Sequence, residues 1–104
     1  MRIALSLALV LVAAQAMAAS ADPTAGAHIA KTECASCHAI GRDAEAKSPD
    51  PKAPRFVDVA KMPSTTELSL KVFLRSSHRN MPNFILSREE IDSLASYILE
   101  LDGK

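Results

Sequence analysis

Cys34-Ala35-Ser36-Cys37-His38 is the stretch of this sequence whose residue types and spacing specify a chemistry. On a helical turn, side chains at i and i+3 project to the same side. Two thiols so placed reach the two vinyl groups along one edge of a haem and form thioethers, and the adjacent imidazole comes under the iron. Cys-x-x-Cys-His is the attachment signature of c-type haem. Other chemistries fit less well. A structural zinc needs four ligands, and beyond this cluster only His28 and His78 remain as soft donors. A thioredoxin-like redox pair needs a βαβ context, and no run of this sequence alternates as a strand. A disulfide between Cys34 and Cys37 would close almost no loop.

The elements around the motif must position it. Residues 1–18 contain fifteen apolar residues, with Arg2 as a positive n-region, Ile3 to Ala14 as an apolar h-region and Ala16-Met17-Ala18 as a small-x-small site. This reads as a secretory signal peptide, cleaved at Ala18/Ala19 or, as second choice, at Ala21/Asp22. A helix over the h-region would be about 18 Å long, short of a membrane span of roughly 30 Å. Residues 19–104 are then one domain. The whole chain of 104 residues carries 12 basic and 12 acidic side chains. That balance excludes a general nucleic-acid or anionic-membrane binder. Without the signal the apolar share drops to roughly 41%, a modest core that calls for a staple, and a bound group serves better than a disulfide.

Asp22-Pro23 opens a helix that runs toward Cys34. Residues 39–63 carry Pro49, Pro51, Pro54 and Pro63 without a sustained period, and read as a long loop wrapped around a ligand. Ser64-Thr65-Thr66-Glu67 reads as a capping box for a helix over 64–77, and Ser77 to Leu86 as a second loop containing Met81-Pro82. Ser87-Arg88-Glu89-Glu90 is another capping box. Behind it Ile91, Leu94, Ala95, Ile98 and Leu101 keep helical spacing until Gly103. The expected class is all-α.

These features together resemble the class I c-type cytochromes, specifically the small single-haem bacterial ones. The likeness covers nearly all of residues 22–104: Gly26 eight residues before Cys34, the haem motif, Ala53-Pro54-Arg55-Phe56 in a proline loop, Met81-Pro82, and Tyr97 in the last helix. The aromatic often found four residues after that glycine is here Ala30. The resemblance implies a cytochrome c fold, three to four helices around one haem c attached through Cys34 and Cys37. It implies that Gly26 lets the terminal helices approach near Tyr97. His38 would bind the iron, with its second ring N–H donated to a carbonyl of the proline loop, Pro54 or alternatively Pro51. Met81 would be the sixth ligand. Met62 and His78 are the other candidates: Met62 reads as packing at the haem edge, and His78 as a cation at a helix end.

A His/Met pair keeps both axial positions filled and its soft thioether favours Fe(II). It suits a one-electron carrier and leaves no place for substrate, so the expectation is a periplasmic electron carrier and no enzyme. The rivals are an enzyme with an open sixth position and a dedicated subunit of a dehydrogenase. Residues 46–88 carry a net charge of +5, and Lys71, Arg75 and Arg79 are expected on a docking face for an acidic redox partner. Phe56, Phe73, Phe84 and Tyr97 read as core or haem-pocket residues. The mature chain is expected to be a monomer that does not span a membrane.

Overall fold

Asp22 caps the first helix. In the computed structural model, which describes residues 21–76 and 81–103, its carboxylate accepts a hydrogen bond from the Thr24 N–H at 2.9 Å, and Pro23 takes the first helical position. The missing N–H of a proline costs nothing there. The expected signal segment, residues 1–18, lies outside the described residues, as do His78 and Arg79. Helix α1 (Pro23–Ile29) runs on into one turn of π-helix, Ala30–Cys34. The Ala35 N–H reaches back five residues to the Ala30 carbonyl at 2.9 Å. Helices α2 (Phe56–Lys61), α3 (Glu67–Arg75) and α4 (Arg88–Glu100) follow. Among the described residues there is no strand, so the fold is all-α. Among them, too, no helix is long and apolar enough to cross a membrane.

Helix α4 is the element on which α1, α2 and α3 all pack. Ile91, Leu94, Ala95 and Ile98 are buried at i, i+3, i+4 and i+7, the spacing of a single helical face. Facing them are Ile29, Ala30, Phe56, Ala60 and Leu70. Each large aliphatic side chain buried this way contributes about 1.5–3 kcal/mol. The crossing of α1 over α4 depends on Gly26. A Cβ built there would lie 2.0 Å from the Ser93 carbonyl oxygen and 2.8 Å from Tyr97 Cβ, so any side chain would force the helices apart. Beside the crossing, the Asp22 N–H donates to Ser93 Oγ at 3.1 Å.

The two ends of α4 are set by residues legible in the sequence. Ser87 Oγ accepts from the Glu90 N–H at 3.1 Å, while Glu90 Oε1 accepts from the Ser87 N–H at 3.0 Å. Past the other end Gly103 takes φ +70°, a backbone state that glycine enters without steric cost.

Two expectations are corrected. The stretch 39–63 is not loop throughout, because α2 forms within it and buries Phe56, Val57 and Ala60. The start of α3 falls at Glu67, with Thr66 as N-cap rather than Ser64. Thr65 N–H donates to the Met62 carbonyl at 3.0 Å and Thr65 is buried, so Ser64 belongs to a turn. Thr66 and Ser69 then exchange the two capping hydrogen bonds, at 3.1 and 2.8 Å.

Candidate haem site

The π-turn delivers Cys34 into the core at 6% exposure, and Cys37 sits one turn on, half-buried. The Cys34 carbonyl accepts from both the Cys37 and the His38 N–H, at 3.1 and 2.9 Å. The motif is therefore one helical turn, and its two thiols are not joined in a disulfide. Burial, with the neighbouring Glu33 carboxylate adding to it, pushes the Cys34 thiol up to about 11. Cys34 accordingly stays S–H at neutral pH.

The segment from Ser48 to Phe56 is tied to the motif by backbone bonds at both ends. Asp50 N–H donates to the Cys37 carbonyl at 3.1 Å, and Phe56 N–H to the Ala39 carbonyl at 2.9 Å. Ser48 Oγ accepts from the Ala39 N–H at 3.0 Å. Between these ties the Pro54 carbonyl oxygen stands 2.6 Å from His38 Nδ1. A carbonyl can only accept, so Nδ1 carries a proton, and in the neutral imidazole the lone pair is then on Nε2. In that tautomer Nε2 is a nitrogen that could bind a metal. The buried Phe56 ring packs against the imidazole, centroids 5.1 Å apart and planes tilted by 47°.

Met81 is partly buried and lines a narrow cleft with Cys34, Leu74, Phe84, Leu86 and Leu94. Glu33, Ser76 and Asn83 also line it, so the structure brings a thioether and the first motif cysteine to one mostly apolar cleft with a polar edge. Of the alternatives, Met62 is the exposed C-cap of α2, 49% accessible. His28 is exposed on α1. Phe84 lines the cleft and Phe73 is 57% exposed on α3.

Three further side chains tie the surrounding elements together. Tyr97 donates its hydroxyl to the Ile40 carbonyl at 2.6 Å, and Arg42 Nη1 donates to the Glu100 carbonyl at 2.9 Å. Lys71 Nζ lies 2.6 Å from Glu67 Oε1 and 3.2 Å from Asp92 Oδ1. Tyr97 on the last helix was visible in the sequence, but its partner lies 57 positions away, and Arg42 lies 58 positions from the Glu100 carbonyl it meets. No local signal names such partners.

Comparison with known proteins decides the family. Residues 21–98 match the family described as cytochrome C oxidase, cbb3-type, subunit III. A cytochrome c-552 from Bradyrhizobium diazoefficiens is 38% identical over 92 residues, covering 88% of this chain and 86% of that protein. The chain belongs to the class I c-type cytochromes. No solved structure matches this cytochrome. The family implies haem c, and the site fits it: two thiols one turn apart, an imidazole with one nitrogen committed to a carbonyl, and a thioether in a mostly apolar cleft. As a member of this family the cytochrome is an electron carrier.

Proposed function

We propose that this cytochrome is a periplasmic monohaem one-electron carrier, exported by residues 1–18, with His38 and Met81 as axial ligands. The observation that carries the reading is the pairing of His38 Nδ1 with the Pro54 carbonyl, which leaves Nε2 as donor. Met81 in the cleft with Cys34 supplies a second, softer donor. Haem c, once bound, supplies an iron that cycles between Fe(II) and Fe(III). Cys34 and Cys37, free thiols one helical turn apart, would hold the haem covalently through thioether links to its two vinyl groups. Met81 would supply a soft thioether that favours Fe(II), and His38 an imidazole nitrogen, so that the iron would keep the same two protein ligands as the electron comes and goes. A filled sixth position supports a carrier between larger redox proteins rather than an enzyme.

For partners we propose a basic docking surface on the distal side. Arg75, exposed at the end of α3, is its described member and Arg79 follows in sequence. Lys71 has a smaller part in this proposal, because its ammonium faces the Glu67 and Asp92 carboxylates.

The test is the protein from a periplasmic extract. Its intact mass should equal the chain from Ala19 or Asp22 plus one haem, retained through acid-acetone. Oxidised, it should show the weak far-red sulfur-to-iron band. Met81→Ala should abolish that band and admit cyanide quickly, while Met62→Ala and His78→Ala should keep it. A full-length mass, or a band that disappears with Met62→Ala and survives Met81→Ala, would sink the reading.

A further inference from the structure

Met81 sits in residues 81–87, which have no helix or strand of their own and lead into α4, and its cleft is walled by Leu74 of α3 and Leu94 of α4. Where such a segment places its side chains depends on how those two helices are held. Helix α3 packs on α4 through Leu70, buried, and Leu74, which lies against the core. Lys71 stands beside these residues. Its side chain is 26% exposed, that of Asp92 on α4 28%, and the ammonium reaches Asp92 Oδ1 at 3.2 Å and Glu67 Oε1 at 2.6 Å. An ion pair this sheltered is screened less than a surface pair. Both hydrogen bonds raise the Lys71 pKa, Glu67 first and then Asp92, so the ammonium stays charged across the working range.

We propose that Lys71 is a positioning residue for Met81, a charged clasp that joins α3 to α4 and thereby fixes the span across which the Met81 segment is held. The proposal rests on Met81 as the sixth ligand. It replaces the docking role that the basic run suggested for Lys71. A cation whose charge is matched by two carboxylates offers little field to an approaching protein, but it resists separation of the helices. The segment must lift for an external ligand to take the place of Met81. Breaking the clasp makes that lifting easier while leaving the haem, His38 and the partner surface unchanged.

The experiment uses the haem-loaded oxidised protein with imidazole as the entering ligand. Lys71→Met keeps the length of the side chain and removes the charge; Asp92→Asn removes the partner. Each should retain the far-red band and the helical circular dichroism at rest, yet take up imidazole about three- to fivefold faster than wild type, the effect of a partly sheltered pair. The double variant should be no faster than Lys71→Met, because both single changes remove the same pair between α3 and α4 and the Glu67 pair lies within α3. Lys71→Arg should restore a rate within about twofold of wild type. Should Lys71→Met fail to fold, Asp92→Asn and Lys71→Arg carry the comparison. Rates unchanged in both single variants, or a double variant whose acceleration is the product of the two, overturn the clasp. A wild type that carries covalent haem but lacks the far-red band overturns the Met81 assignment, and the clasp with it. A band present in wild type with unaltered variant rates removes the clasp alone.

Discussion

Tyr97 on α4 donates its hydroxyl to the Ile40 carbonyl across 2.6 Å, so the last helix grips the chain two residues past His38. Burial pushes this phenol above its usual value of 10.0, with Arg42 pulling it the other way. The folded state therefore holds the phenolic proton more tightly than the unfolded chain does. That contribution is fully present below about pH 10 and is lost as pH rises through the folded value. Tyr97→Phe should cost about 1 kcal/mol at neutral pH, in the range of one hydrogen bond. Wild type should also lose stability faster than the variant when urea unfolding is followed from about pH 9 to pH 11. Parallel stability curves for the two proteins would refute this account of Tyr97.

Gly26 gives a sharper test of the helix crossing. An alanine Cβ would stand 2.0 Å from the Ser93 carbonyl oxygen, and that obstacle is backbone, which cannot rotate aside. Gly26→Ala should therefore fall at the severe end of overpacking, about 3 kcal/mol or more. Gly41→Ala, with nothing within 4 Å of its new Cβ, should change stability by less than about 0.5 kcal/mol. Denaturant midpoints at constant slope measure both. Equal losses at the two positions would mean that α1 and α4 are not held at this distance.

The contrast between what the sequence disclosed and what it did not follows the range of the forces involved. Ser87 and Glu90 are three residues apart and satisfy each other, so the start of α4 was readable from four letters. Ser64 to Glu67 spells the same pattern, yet the turn from Met62 to Thr65 consumes it and Thr66 caps α3. The prolines around α2 hid a helix of six residues that exists because Phe56 and Ala60 reach the core. The haem motif was legible because its chemistry is local. The clasp of Lys71 to Asp92, 21 positions apart, was not: net charge along a segment shows sign, and only folding shows which charges meet.

The hydrogen bond between His38 and Pro54 should tune the iron. An N–H···O bond makes the imidazole a stronger donor, which favours Fe(III). Pro54→Gly leaves the carbonyl but loosens the backbone that aims it. The reduction potential should rise, by up to roughly 40 mV if the whole of a bond of about 1 kcal/mol is lost. Potentiometric titration measures it, with the far-red band as control that Met81 still binds. A fall in potential, or no change beside faster exchange of the Nδ1 proton, would contradict the assigned role.

Docking is the last prediction, and it separates Arg75 from Lys71. Exposed charges steer an approaching partner only within the screening length, about 8 Å at physiological salt. The second-order rate with an acidic redox partner should fall as ionic strength rises. Arg75→Glu should lower that rate several-fold at low salt and flatten its salt dependence, because it reverses a charge exposed to the encounter. Lys71→Met should leave both nearly unchanged, since the ammonium it removes already faces Glu67 and Asp92. Stopped-flow kinetics across a salt series measure all three proteins. If the rate is flat in salt for every acidic partner, the basic docking surface is wrong. If Lys71→Met slows association as much as Arg75→Glu does, Lys71 belongs to that surface and its charge is not spent within the fold.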